Sequence, residues 1–191
     1  YHWRARFVSS GSQTYLGPNQ SFTTNSSGQV TVGNGNAASC STSALNTALN
    51  TPGLETLLFD CGPTPVTIAM SAQKIILEDL EIDGNNLITI NAPANSRHFD
   101  VSNGSTLTLN NLVLSGGNES VGCGGSVRVA GSSTLVTNRV SFINNHALSD
   151  GGALCVVSGS QASINSSLFK GNSAGGLGGA IANFGALGLI W

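Results

Sequence analysis

A glycine pair recurs at a fixed interval near the end of this chain. Gly124-Gly125, Gly151-Gly152 and Gly178-Gly179 follow one another every 27 residues. The interior of the interval repeats as well: Val127 aligns with Leu154 and Ile181, Asn138 with Asn165, Phe142 with Phe169, and Asn145 with Asn172. A period of this size points to a solenoid, because one unit cannot bury its own apolar face and must stack on a neighbour. Within each unit, short runs alternate apolar and polar residues between Gly, Ser and Asn, which is strand periodicity with turn punctuation. Several strands in a coil of that length make a parallel β-helix. Like residues should then pile into columns: Phe142 on Phe169, and Val127 on Leu154 on Ile181. Asn145 and Asn172 should form a ladder at a turn. The paired glycines fit a corner whose torsions other residues resist.

Composition narrows the function classes. The 191 residues suffice for one sizeable core and a partial second module. Charged residues make up only 8% and the net charge is −2, with seven Lys and Arg scattered singly, so no basic patch exists to neutralise phosphates. Nucleic acid is therefore not an expected partner. No apolar run approaches the roughly 20 residues of a membrane span. The chain begins inside a strand-like pattern, and Ala186 to Trp191 lies inside what would be the next coil. It reads as a mature piece of a longer polypeptide, whose remainder is its first expected partner.

Tyr1 to Phe7 alternates large apolar and basic residues like a strand, a Gly/Ser/Pro loop follows, and a short strand is expected near Gln20 to Thr24. Residues 1–24 resemble the tail of a fibronectin type III domain, although so short a stretch is far from a whole sandwich. The other reading is an N-terminal arm on the solenoid; in either case Trp3 and Phe7 need cover. Residues 25–29 form the linker, and 30–191 the β-helix. Val30-Thr31-Val32 is a short strand. A helix is expected over Ser41 to Thr51, with Ser41 or Thr42 as N-cap, Ala44, Leu45, Ala48 and Leu49 on one face, and Pro52-Gly53 as terminator. Leu57-Leu58-Phe59 follows as a strand. The helix has the size of a lid for the first coil, whose open core and edge would otherwise invite aggregation. Strands are then expected at Val66 to Met70, Ile75 to Asp83, Leu87 to Ile90, His98 to Val101 and Thr106 to Leu114, the last broken at Asn110-Asn111.

The repeat motifs carry a resemblance. Gly178-Gly179-Ala180-Ile181 reads GGAI, with Gly151 to Leu154 a near match and Gly124 to Val127 a weaker one. Phe142 to Asn145 and Phe169 to Asn172 both read FxxN. In alternation these resemble the repeats of chlamydial polymorphic outer membrane proteins and of related bacterial surface β-helix proteins. The opening strand, Cys, short helix and strand ending Phe-x-Cys, and the early coils from Leu80 to Leu114, are similar to that group too. The resemblance implies an all-β, right-handed parallel β-helix of about six coils with a short N-terminal capping helix, near 30 Å long at a spacing of about 4.8 Å per coil. It also implies secretion to an extracellular or cell-surface location and a role in adhesion.

The even number of cysteines suits an oxidising compartment. A disulfide is expected between Cys40 and Cys61. Cys123 and Cys155 remain, in neighbouring coils but about five positions apart in register; a second bridge and free buried thiols stay open as alternatives.

Candidate chemistry is sparse. Asp79, Glu81 and Asp83 stand at spacing two and would share one strand face, about 6.5 Å apart, with Glu78 pointing away or at a bend. A β-helix polysaccharide lyase would bind Ca²⁺ through such carboxylates, with Asp100 contributing and Arg97 or His98 as base. Calcium asks for six to eight converging oxygens, which a line of three does not supply. The plainer expectation is a solvated face paired with Arg97, with no catalytic residue and no cofactor. Only Glu119 and Asp150 are acidic beyond residue 100, so the row of aspartates of a pectinase-type hydrolase is missing. Sequons occur at Asn19, Asn25, Asn103, Asn118 and Asn165, and matter where the source glycosylates secreted proteins. The leading expectation is a non-catalytic surface rod that binds glycans or a host or neighbour-cell receptor. The alternatives are a carbohydrate-active β-helix enzyme and a filament subunit that associates end to end.

Overall fold

A computed structural model describes residues 13–17, 20–24 and 28–190. The expected Tyr1–Phe7 strand, the question of what covers Trp3 and Phe7, and most of the linker lie outside these residues. Gln13–Gly17 and Gln20–Thr24 pair as an antiparallel hairpin, from Gln13 opposite Thr24 to Gly17 opposite Gln20. The first of these was expected as loop. Its Thr-Tyr-Leu run supplies three β-favouring residues and pairs with the second strand.

From Gln29 onward the chain is a parallel β-solenoid of about six turns. One sheet stacks Gln29–Gly33, Thr56–Asp60, Leu80–Asn91, Thr106–Ser115, Thr134–Asn138, Gln161–Asn165 and Ala186–Ile190 in that order. A second stacks Lys74–Ile76, Phe99–Val101, Val127–Val129, Leu154–Val156 and Ile181–Asn183. A short third sheet joins Asn118–Glu119, His146–Ala147 and Ser173–Ala174. The expected strand from Ile75 to Asp83 is two strands, because residues 77–79 turn from the second sheet into the first.

The columns are as the period requires. Val127 pairs with Leu154 and Leu154 with Ile181. Phe142 pairs with Phe169, their rings stacked 4.7 Å apart and 7° from parallel. Inside them Leu80, Leu107 and Leu135 form another column, buried like Phe99 and Val127. Each turn of the solenoid bends where the backbone enters the left-handed region, and these positions recur in register. Asn111, Arg139 and Ser166 mark one corner, Gly116, Asn144 and Gly171 the next, and Gly124, Gly151 and Gly178 a third.

The glycine pair divides two tasks. Its first member takes positive φ, +63° at Gly151. Its second lets the backbone of adjoining strands close in: a Cβ at Gly152 would collide with the carbonyl oxygens of Gly179 and Ser173.

At the start of the stack the helix Thr42–Leu49 packs against strands 29–33 and 66–69. Ser41 caps it, its hydroxyl accepting from the Ala44 N–H at 3.2 Å. Leu45, Ala48 and Leu49 are buried in the common core, so the helix closes the apolar interior at this end.

Candidate functional site

The three expected carboxylates each receive a hydrogen bond from the coil above. Asp79 accepts from the Thr106 N–H at 2.7 Å, Glu81 from the Asn110 amide at 2.6 Å, and Asp83 from the Asn111 amide at 3.1 Å. Asp83 also accepts from the Asn85 N–H. Glu78 sits at the bend and lines, with Glu55, Asp79, Glu81, Thr106 and Thr108, an open groove of about 590 Å³. Among the described residues, no three acidic, histidine or cysteine side chains gather as a metal would require.

Glu81 heads a longer row. Asn138 donates to Asn110 and Asn165 to Asn138, both at 2.8 Å, so one chain of amides crosses four coils. It stops at the Asn165 oxygen, which is buried without a partner, because Ile190 follows it in register. A second row turns inward. Asn145 accepts from the Gly117 N–H at 2.8 Å and donates to the Leu114 carbonyl at 3.2 Å and to Asn172 at 3.0 Å. Asn172 in turn donates to the Phe142 carbonyl. Each FxxN asparagine thus satisfies backbone groups at the same corner of the preceding coil.

Arg97 does not pair with the row of Asp79, Glu81 and Asp83. It lies two residues before the second-sheet strand Phe99–Val101, its side chain 8% exposed, between Asp100 at 3.0 Å and Glu119 at 2.9 Å. Arg128 of the next coil binds Asp100 at 3.1 Å. Two arginines and two carboxylates therefore neutralise one another in a cluster, and Asp100 is shared between coils. Burial of charge is tolerated only with such pairing. Sequence reasoning missed Glu119 and Arg128. The signal was present: Phe99-Asp100-Val101 and Val127-Arg128-Val129 each place one charge, of opposite sign, between two inward residues.

His98 is the neighbour of this cluster on the inner side. It is fully buried, its Nε2 3.0 Å from the Ile90 carbonyl and its Nδ1 3.0 Å from the Ser126 hydroxyl. A carbonyl only accepts, so Nε2 carries the proton and Ser126 donates to Nδ1. Burial lowers the pKa of His98 to about 4, against the raising influence of the carbonyl contacts. The histidine considered as a base is thus a neutral core residue. The Ser126–His98 pair has the composition of a nucleophile and its base, but both side chains are 0% exposed.

Cys40 bonds to Cys61 and Cys123 to Cys155, each with Cα atoms 5.6 Å apart. Of the described sequons, Asn118 and Asn103 are exposed, the latter with its amide on the Leu77 carbonyl, whereas Asn165 is held in the amide row.

The strand columns, the inward asparagines and the paired glycines at one corner are the signature of a recurring unit. Residues 139–157 and 166–183 match the Chlamydia polymorphic membrane protein repeat. Each matched segment takes in one FxxN, at 142–145 and at 169–172, then one Gly-Gly corner and the strand that follows it. The chain therefore carries this repeat on a parallel β-solenoid, as the GGAI and FxxN motifs imply. No curated protein and no solved structure gives a significant match to the chain. Among the described residues, no helix is long and apolar enough to cross a membrane.

Proposed function

We propose that the chain is a non-catalytic, extracellular surface module, a rigid rod whose outer face adheres to glycans or to a receptor on a host or neighbouring cell. The observation that carries this reading is the regular array on the largest sheet. Thr106, Thr134 and Gln161 form one row, Thr108, Val136 and Ser163 a second, and Asn110, Asn138 and Asn165 a third. The third row is tied up in its own amide chain, but the hydroxyl and amide side chains of the first two rows, Val136 apart, offer donors and acceptors to sugar hydroxyls at strand spacing. The match to a membrane-protein repeat supports a surface location.

The test is retention of labelled protein on a glycan array and on cells, for the native chain and for a Thr134→Asp/Ser163→Asp variant. Retention of the native chain, weakened about tenfold by the two added charges, is expected. Equal retention of both proteins, or none of either, removes the adhesive reading. The groove of Glu55, Glu78, Asp79 and Glu81 favours a second reading, a polysaccharide lyase. Calcium-dependent cleavage across a polysaccharide panel would put it first.

A further inference from the structure

The two disulfides have unlike surroundings. Cys40 and Cys61 are both buried in the core. Cys155 is buried too, but Cys123 is half-buried in the corner loop 120–125. This bridge does not follow the columns. The register partner of Cys155 in the preceding coil is Arg128, so the bond runs obliquely from the loop to the middle of the next coil's strand.

The loop lies over the charge cluster. The Val121 N–H donates to Glu119 at 3.1 Å, and a Cβ on Gly122 would stand 3.2 Å from an Arg97 nitrogen. Among side chains, little besides the bridge holds the loop in place. Gly122, Gly124 and Gly125 have no side chains, Ser120 is exposed, and Val121 is 84% exposed. Cys123 is thus the one side chain of the loop that reaches the buried interior. The remaining ties to the next coil are backbone hydrogen bonds, from Gly124 to Asp150, Gly125 to Gly151 and Ser149 to Gly122. In the following coil the corresponding position is Asp150, which holds its corner by accepting from the Leu177 N–H and the Ser149 hydroxyl.

We propose that Cys123–Cys155 is a redox latch: a reducing dithiol opens it while Cys40–Cys61 stays closed, and the freed loop uncovers the Arg97–Glu119 pair. The reductant's thiolate attacks the accessible Cys123 sulfur, the disulfide breaks, and Cys155 leaves as a thiolate that takes up a proton. The reductant's second thiol then displaces Cys123 from the mixed disulfide. Two electrons pass from the dithiol, which ends as its own disulfide, to the bridge, which ends as two thiols. Cys123 is partly exposed, whereas Cys40 and Cys61 are both buried in the core, so access orders the two.

Graded dithiothreitol treatment of the folded protein, quenched by alkylation and mapped by peptide mass, tests the order of opening. Hydrogen exchange on the same samples reads the loop. Cys123 and Cys155 should be alkylated at least about tenfold faster than Cys40 and Cys61. Amides of 120–125 should lose protection while those of 29–33 and 80–91 keep theirs. A Cys123→Ser/Cys155→Ser variant should show the same local loss without reductant; if that variant does not fold, the reduced native protein decides alone. Simultaneous opening of both bridges, earlier opening of Cys40–Cys61, or a loop that stays protected after reduction overturns the proposal.

Discussion

His98 shows how one residue ties acidity to folding. Its neutral ring bridges the Ile90 carbonyl and the Ser126 hydroxyl, and a proton on Nδ1 would face a donor-bearing oxygen inside an apolar core. Its pKa falls from 6.5 to about 4 on folding, so between those values the unfolded chain binds the proton more readily. The stability His98 confers is complete above pH 6.5 and is lost as the pH falls toward 4, by on the order of 3 kcal/mol. Asp100 and Glu119 lie in the cluster beyond it, so the measurement needs a control. Urea midpoints at about pH 7 and about pH 4.5 should fall steeply for the native chain and less steeply for His98→Gln. Equal slopes would assign the acid sensitivity elsewhere.

At the scale of elements, the corners do as much as the strands. A corner leaves backbone groups facing inward without a sheet partner, and the inward asparagines supply one. Asn145 is 1% exposed and serves the Gly117 N–H and the Leu114 carbonyl. Asn145→Ala leaves the Gly117 N–H buried and unpaired and removes one donor from the Leu114 carbonyl, at a cost of about 2–3 kcal/mol in urea unfolding. Asn138→Ala breaks only amide-to-amide bonds on the partly exposed outer row, and a loss of about 1 kcal/mol is expected. Comparable losses in the two variants would show that the inner row has no special task. The left-handed positions at Asn111, Arg139 and Ser166 make the same point from the backbone side. Glycine is not needed at that corner, and the Asn111 side chain is held by bonds to the neighbouring coils: it donates to Asp83 and accepts from Arg139.

For the molecule as a whole, stability should vary along the rod. Each coil touches only its neighbours, so inner coils gain two interfaces and an end coil one. The helix covers the first coil, whereas Leu189 and Ile190 in the last strand are about half exposed. In a protein of residues 1–191 alone, amides of 80–91, 106–115 and 127–138 should exchange slowest and those of 186–190 fastest, as read by hydrogen exchange with peptide mass. Uniform protection along the rod would mean that it opens in one cooperative step.

The 27-residue period already specified stacked coils, because apolar residues spaced once per circuit can be buried only against their own repeats. Phe142 on Phe169, Val127 on Leu154, the capping helix and its Ser41 cap all follow from that requirement and from local propensity. The meeting of polar groups was decided by tertiary structure. Corners of unequal length shift the register: Val127 lies 28 residues after Phe99 but 27 before Leu154, and the Cys123–Cys155 bridge spans 32. Hydrogen bonds and ion pairs act over about 3 Å, and Arg97 comes to lie beside the second sheet, so it meets Asp100 and Glu119 and not the acidic row of the first. Periodicity constrains which face a residue takes. Only the path of the chain around each corner determines the atoms it meets there.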